Sequence, residues 1–116
     1  MLRYTMIIAA TLAIAPFAGA NAQAASFDCR KAKTDTEKTI CRKATLNVLD
    51  QRMAHVYRGL LSLVGHSGQR DQFRADQLYW LNVRDACGTS TPCLRNTLKA
   101  RIDELSGYVK AVKAAG

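Results

Sequence analysis

Four cysteines are the residues of this chain whose spacing indicates their chemistry most clearly. Cys29 and Cys41 are separated by eleven residues, and Cys87 and Cys93 are separated by five. Neither spacing is the C-x-x-C of redox proteins or the paired spacing of zinc ligands, so we predict two structural disulfides. Closure entropy favours the local pairs Cys29–Cys41 and Cys87–Cys93, because short loops lose less entropy on closing. A cross-pairing that ties the two ends of the chain together is the alternative.

Carboxylates and histidines form no catalytic or metal-binding pattern. After residue 24 the chain has only two glutamates, Glu37 and Glu104. The acidic pairs at 35/37 and 103/104 are two residues and one residue apart, so they do not face each other on a helix. His55 and His66 each lack a second histidine at ligand spacing. We therefore expect no enzymatic activity, no bound metal and no cofactor.

Two arginines are expected to be buried and paired. Arg84 follows Trp80 by one helical turn on the same face, and a charged side chain there requires a partner. We predict that Asp50 is this partner and that Arg101 pairs with Asp85. Both pairs would be structural.

A basic cluster follows the first cysteine and differs in kind from these pairs. Its six positive charges face only three acidic residues between positions 28 and 43. A solvated surface explains such a cluster, and a patch that recruits an anionic partner is the functional alternative. The members of this basic patch are Arg30, Lys31, Lys33, Lys38, Arg42 and Lys43.

The first 24 residues are typical of a cleaved signal peptide. Arg3 precedes an apolar run over residues 6–17, and small residues that include Ala22-Gln23-Ala24 follow. The run is shorter than the roughly 20 residues of a membrane-spanning helix, so we expect no stable membrane insertion after cleavage. Cleavage after Ala20, Ala22 or Ala24 fits the pattern. We expect a periplasmic or secreted protein, in which disulfides form readily.

Charge restricts the class of partner. The chain carries 17 basic and nine acidic residues, and loss of Arg3 with the leader leaves a net charge near +7. Such a charge favours anionic envelope polymers or acidic proteins. We expect no nucleic acid partner, because the protein is exported and no nucleic-acid recognition motif is present.

Apolar spacing predicts helices throughout residues 25–116 and no strand. Thr34 and Glu37 form the T-x-x-E pattern of a capping box at the start of a first helix that ends near Arg42. Apolar residues at intervals of three and four predict a second helix over 46–64, a third over 69–86 and a fourth that begins at Thr91-Pro92. Short connections make successive helices antiparallel. We therefore predict an all-α fold, a small antiparallel bundle of three to four helices with two disulfides.

A set of motifs resembles the LprI-type lysozyme-inhibitor domain family of bacterial envelope proteins. The motifs follow one another along residues 25–116: F-D-C at 27–29, T-x-x-E-K-x-I-C at 34–41, L-D at 49–50, Tyr57, Q-x-x-W-L-x-x-R-D-x-C at 77–87, C-L at 93–94 and R-I-x-x-L at 101–105. The resemblance implies a helical envelope protein whose partner is a lysozyme, and it brings no catalytic residues. Animal-type lysozymes are strongly basic, so a domain of charge +7 would approach them against like-charge repulsion.

Overall fold

Four α-helices and one short 3₁₀ turn make up the part of the chain that the structure, a computed structural model, describes, residues 26–116. The predicted leader, residues 1–24, lies outside these residues. The structure confirms the all-α class, and residues 26–116 contain no strand. The elements are the 3₁₀ turn Cys29–Lys31, α1 (Asp35–Arg42), α2 (Ala44–Val64), α3 (Gly68–Asp85) and α4 (Thr91–Ala115).

Local signals set the ends of these helices. The predicted capping box begins α1, where the Glu37 amide donates to the Thr34 hydroxyl oxygen at 3.0 Å and the Glu37 carboxylate accepts from the Thr34 amide. Gly65 ends α2 with φ of 59°, a conformation that favours glycine. Ser90 caps α4, one residue before the predicted start, and Pro92 follows in its first turn.

The three long helices run up, down and up. Successive helices are antiparallel: α3 residues 77 and 84 contact α2 residues 53 and 50, and α3 residues 77 and 73 contact α4 residues 101 and 108, so numbers rise along one helix as they fall along the next. The first and last of the three, α2 and α4, consequently run in the same direction and share the core. Six fully buried side chains line that contact, each contributing about 1.5–3 kcal/mol of hydrophobic stabilisation: Leu46, Met53 and Leu60 from α2, and Leu94, Leu98 and Leu105 from α4.

Both disulfides have the local connectivity. Cys29 pairs with Cys41 at a Cα–Cα distance of 5.9 Å, and Cys87 pairs with Cys93 at 5.5 Å. The first bond holds the 3₁₀ turn against α1, and the second closes the connection between α3 and α4. The Thr36 hydroxyl donates to the Gly88 carbonyl at 2.8 Å, so α1 is also tied to that connection.

Within residues 26–116 no helix has both the length and the hydrophobicity needed to cross a bilayer.

Candidate functional site

Asp50 of α2 and Arg84 of α3 meet at the centre of the candidate site. Arg84 Nη1 lies 3.8 Å from Asp50 Oδ1, and the two side chains are 5% and 0% exposed. The predicted contact between these residues is therefore present. Arg84 also binds its neighbour Asp85, through Nη2 at 2.9 Å and Nε at 3.0 Å. One guanidinium thus lies between two carboxylates.

The N-terminal arm, residues 26–28, covers this ion pair. The Ser26 backbone N–H donates to Asp50 Oδ2, and the Phe27 ring centre lies 5.6 Å from the Arg84 guanidinium carbon, within cation–π range. Burial raises the pKa of Asp50, and the Ser26 hydrogen bond and the Arg84 charge oppose that rise. Asp50 Oδ1 and Arg84 Nη1 have no hydrogen-bond partner among residues 26–116.

Arg101 does not pair with Asp85, so this part of the prediction is wrong. Its guanidinium binds Asp76 at 2.9 Å and Glu104 instead, and the Gln77 side-chain oxygen accepts from Nε and Nη2 at 3.1 and 2.8 Å. Antiparallel packing places residue 101 of α4 level with residue 77 of α3. Asp85 lies eight residues further along α3, a rise of about 12 Å, beyond the reach of this guanidinium.

A cleft of ≈ 580 Å³, which we call the arm cleft, opens beside the Asp50–Arg84 pair. Phe27 of the arm forms one wall, and Tyr57, Leu78 and Leu81 supply apolar surface from α2 and α3. Burial raises the pKa of the Tyr57 hydroxyl, and nearby arginines oppose that rise. The arm cleft therefore combines apolar surface with a positive electrostatic environment. Its other charged lining residues are Glu37, Arg58, Arg74, Arg84 and Asp85.

Two of these arginines are exposed at the rim. Arg58 of α2 and Arg74 of α3 have no salt-bridge partner within the described part of the chain. An exposed guanidinium can form two parallel hydrogen bonds with a carboxylate. The rim can therefore receive an acidic group from another molecule without first breaking an internal ion pair.

The outer face of α3 carries an exposed apolar strip that the sequence reasoning missed. Leu78 is 66% exposed, Tyr79 70% and Val83 44%; we call these three residues the α3 strip. The sequence pattern predicted the core contact from the face of α3 that includes Trp80 and Arg84. Leu78 is followed by Tyr79 one residue later and by Val83 five residues later. This second apolar set was the signal for an additional surface, because aromatic and apolar side chains that remain exposed mark contact sites.

The basic patch extends over the 3₁₀ turn and α1, which follow the arm in the chain. All six of its residues are exposed, and the Cys29–Cys41 bond holds the 3₁₀ turn of the patch beside α1. Arg30 pairs with Asp28 at 3.1 Å, and this hydrogen-bonded contact lowers the pKa of Asp28. The other five cations have no salt-bridge partner among residues 26–116.

No metal centre is formed in the described residues: no group of three His, Cys, Asp or Glu side chains there is arranged to hold an ion. His55 and His66 are both exposed.

Fold and site define a class: a small all-helical domain with two disulfides, in which charged side chains gather around an open cleft. The family model described as Lysozyme inhibitor LprI matches residues 29–107, more than half of the chain, and the protein belongs to this family. The family is one of inhibitor domains, and together with the disulfides it indicates an extracytoplasmic protein. No curated protein and no solved structure matches the chain.

Proposed function

We propose that this protein is an exported, non-enzymatic domain that binds and inhibits a lysozyme. Membership in the LprI family is the observation that carries the proposal. An inhibitor of this kind needs a rigid surface that occludes the enzyme, and it needs no catalytic group of its own. The disulfide-bonded bundle supplies such a rigid frame.

The surface that best fits this role consists of the α3 strip and the adjacent rim of the arm cleft. Tyr79, exposed to 70%, has the size and the amphipathic character of a binding anchor. Leu78 belongs to the strip and also lines the cleft, so the apolar surface continues towards Arg58 and Arg74. A partner would meet apolar contacts at the centre and positive charge at the edge.

This local charge distribution allows the domain to bind a basic lysozyme although both proteins carry a net positive charge. Glycoside hydrolases work with a pair of carboxyl groups in their cleft, so the active site of a basic lysozyme presents local negative charge. The rim arginines complement that site, although the net charges of the two proteins repel. We expect inhibition to depend on salt in two opposing ways: screening weakens the local pairs and also relieves the long-range repulsion.

A cell-wall lysis assay tests this function directly. Purified residues 25–116 are added in excess to animal-type and to bacterial lysozymes, and the rate of lysis is measured. We expect inhibition of at least one class. If no lysozyme is inhibited at any concentration of the folded domain, the proposal is wrong.

Two single-residue variants, one on the α3 strip and one outside it, locate the inhibitory surface. Tyr79→Ala should weaken inhibition at least tenfold, since truncation of an interface anchor costs about 2 kcal/mol or more. Val48→Ala is the matched control, because Val48 is also exposed, at 53%, but lies on α2 outside the strip and the arm cleft. Equal inhibition by both variants would assign the inhibitory surface to another part of the molecule.

A second candidate function, binding to an anionic envelope polymer, is favoured by the exposure of all six residues of the basic patch. Reversing the charge of Arg30, Lys31, Lys33 and Lys38 should then abolish salt-sensitive retention on an immobilised polyanion. A control with the same net charge reverses four exposed cations elsewhere: Arg52, Lys99, Lys110 and Lys113. Equal loss in both variants would indicate non-specific attraction and contradict a patch.

A further inference from the structure

A second groove lies between α2 and α4, apart from the arm cleft. It has a volume of ≈ 530 Å³, and we call it the α2–α4 groove. Its apolar surface comes from Val56 and Val109, which are partly buried, and from Leu63, which is exposed. The lining residues are His55, Val56, Gly59 and Leu63 of α2, and Ser106, Val109, Lys110 and Lys113 of α4.

Helical geometry places this groove on the side of the α2–α4 contact that faces away from α3. On α2, Asp50 contacts Arg84 of α3, and Gly59 follows Asp50 by nine residues, about two and a half helical turns. On α4, Arg101 contacts α3, and Lys110 follows it by the same nine residues. The groove positions therefore point away from α3 on both helices, and α3 leaves this side of the contact open.

The spacing of the lining residues fits another helix. Packed helices insert a side chain of one into a hole formed by four residues of the other, at positions i, i+3, i+4 and i+7. The four lining residues of α4 have this spacing. On α2, Val56, Gly59 and Leu63 supply three of the four positions, and the fourth, Leu60, is fully buried. Since residues 56–63 rise about 10 Å, the groove accommodates about two turns of a guest helix.

Gly59 opens the floor of the groove, although the fold does not require a glycine there. A Cβ at this position would meet nothing within 4 Å, and its φ is not positive. Glycine in a helix interior is less favourable than alanine, so the missing side chain lowers helix stability without relieving a clash. It leaves room above the α2 backbone for a side chain from another molecule.

The rim of the groove is cationic. Lys110 and Lys113 are exposed and have no salt-bridge partner among residues 26–116, and His55 is also exposed. None of the eight lining residues is acidic. Charge complementarity therefore selects an acidic partner. A second copy of this chain carries the same excess of positive charge, and a flat lipid surface does not fill a concave groove.

We propose that the α2–α4 groove binds an acidic amphipathic helix of another protein. The guest helix inserts apolar side chains over Gly59 and pairs its flanking Asp or Glu residues with Lys110 and Lys113, in the helix-in-groove mode of recognition. It lies opposite α3 and completes a four-helix bundle. This inference is independent of lysozyme inhibition, because the α3 strip belongs to another helix and stays free.

Two synthetic helical peptides of three heptads each test the proposal on purified residues 25–116. One carries Leu at the core positions and Glu at the flanking positions, and the other carries Lys in place of every Glu. Fluorescence anisotropy of each labelled peptide, at a concentration at which it stays monomeric, measures affinity. We expect the Glu peptide to bind at least tenfold more tightly than the Lys peptide. No binding of the Glu peptide, or equal affinity for both, overturns the proposal.

Charge reversal at the rim separates a local site from attraction by net charge. Lys110→Glu combined with Lys113→Glu should reverse the preference, so that the Lys peptide binds more tightly. Lys31→Glu combined with Lys33→Glu is the control, because it changes the net charge equally on the basic patch, outside the groove. The control should still prefer the Glu peptide. The same loss of preference in both variants contradicts the proposal.

Filling the groove provides a test without a change of charge. Gly59→Leu should weaken binding of the Glu peptide at least tenfold, whereas Gly107→Leu should leave it unchanged. Gly107 is a matched control: it is an exposed glycine of α4, a Cβ there also meets nothing within 4 Å, and it does not line the groove. Both variants should keep the wild-type melting temperature or exceed it, because leucine is the better helix former.

Loss of affinity in both leucine variants, or in neither, overturns the proposal, and the charge reversals decide if Gly59→Leu does not fold. Two further outcomes assign the groove to another occupant and also overturn it. One is a dimer of the domain that Gly59→Leu dissociates, measured by sedimentation. The other is binding to phosphatidylglycerol vesicles that Gly59→Leu abolishes and Gly107→Leu preserves.

Discussion

The two buried arginines of this domain have opposite surroundings. Arg101 is 2% exposed, and each of its guanidinium nitrogens donates a hydrogen bond, to Gln77, Asp76 or Glu104. The two acids are 42% and 48% exposed, so they remain hydrated while they neutralise the arginine. The Arg101 network is complete within α3 and α4, and the Trp80 ring lies 5.5 Å from its guanidinium carbon.

Arg84 has an incomplete network. It is 5% exposed, it faces an acid that is itself fully buried, and Nη1 together with Asp50 Oδ1 lacks a hydrogen bond within the described residues. Because its acids are hydrated, the Arg101 network acts as a structural support. The Asp50 carboxylate is shielded from solvent, so the free energy of the Arg84 network depends strongly on every group placed beside it. An ion pair thus becomes a candidate site where its acid is buried and its hydrogen bonds are not all made.

Arg84→Met should have the largest effect on stability. It leaves Asp50 buried without its cation, and loss of one member of a buried pair typically costs about 3–5 kcal/mol. Urea unfolding at pH 7 measures this change. Arg84→Met combined with Asp50→Asn should cost less than the sum of the two single changes, because neither charge is then left alone. Simple additivity would show that the 3.8 Å contact carries no coupling.

Loss of the Cys29–Cys41 bond should have the second-largest effect on stability. Replacing both cysteines by serine should lower the free energy of unfolding by about 3 kcal/mol in the chain-entropy model. Since this bond holds the 3₁₀ turn, hydrogen exchange of the Lys31 and Ala32 amides, which bond within that turn, should accelerate while the α3–α4 contact around Arg101 keeps its protection. Uniform loss of protection in both regions would contradict the separation of the two networks.

Arg101→Met should cost less than Arg84→Met. Asp76 and Glu104 can rehydrate when the arginine is removed, and only the buried Gln77 side chain loses its partner, so we expect a loss of about 2 kcal/mol. The same urea experiment at pH 7 provides the measurement. A loss equal to or greater than that of Arg84→Met would contradict this difference between the two arginines, since it would place the more sensitive charge in the complete network.

The smallest expected effect is a dependence on pH specific to Asp50. Burial raises the pKa of Asp50 in the folded chain, so the folded state binds a proton more readily than the unfolded state. Its contribution to stability is present below the unfolded value and is lost as pH rises through the folded value. The wild-type chain should therefore gain stability relative to Asp50→Asn as pH falls from 7 to 4.

Urea unfolding of the two proteins at each pH measures this difference. A gain in stability of the wild-type chain relative to Asp50→Asn with rising pH would contradict a raised pKa of Asp50 and would show that its charged form is stabilised by its partners.

Helix bounds were largely predictable because their signals lie within a few residues. The Thr34–Glu37 capping box and Gly65 act through backbone groups of their own helical turns, and both lie where the sequence indicated. The local disulfide pairs agree with the entropy of short loops. The Asp50–Arg84 contact was predictable from a charge on a core-facing turn, which must have a partner on the neighbouring helix.

Contacts between helices were less predictable. The pairing of Arg101 with Asp85 failed because the offset between α3 and α4 depends on how their side chains interlock, and opposite charges occur at several offsets. The α3 strip was missed for a related reason: a helix with apolar residues on two faces does not reveal which face is covered.

The sequence by itself determined the helices, their caps, the basic patch and the residues that must be paired, because these follow from spacing along one segment and from the cost of a lone buried charge. Only the tertiary structure decided which acid reaches each arginine, that the arm lies on Asp50, and that the α3 strip stays uncovered. Those outcomes depend on the relative placement of segments 24 residues or more apart in the chain, and that placement is set by packing of the whole core.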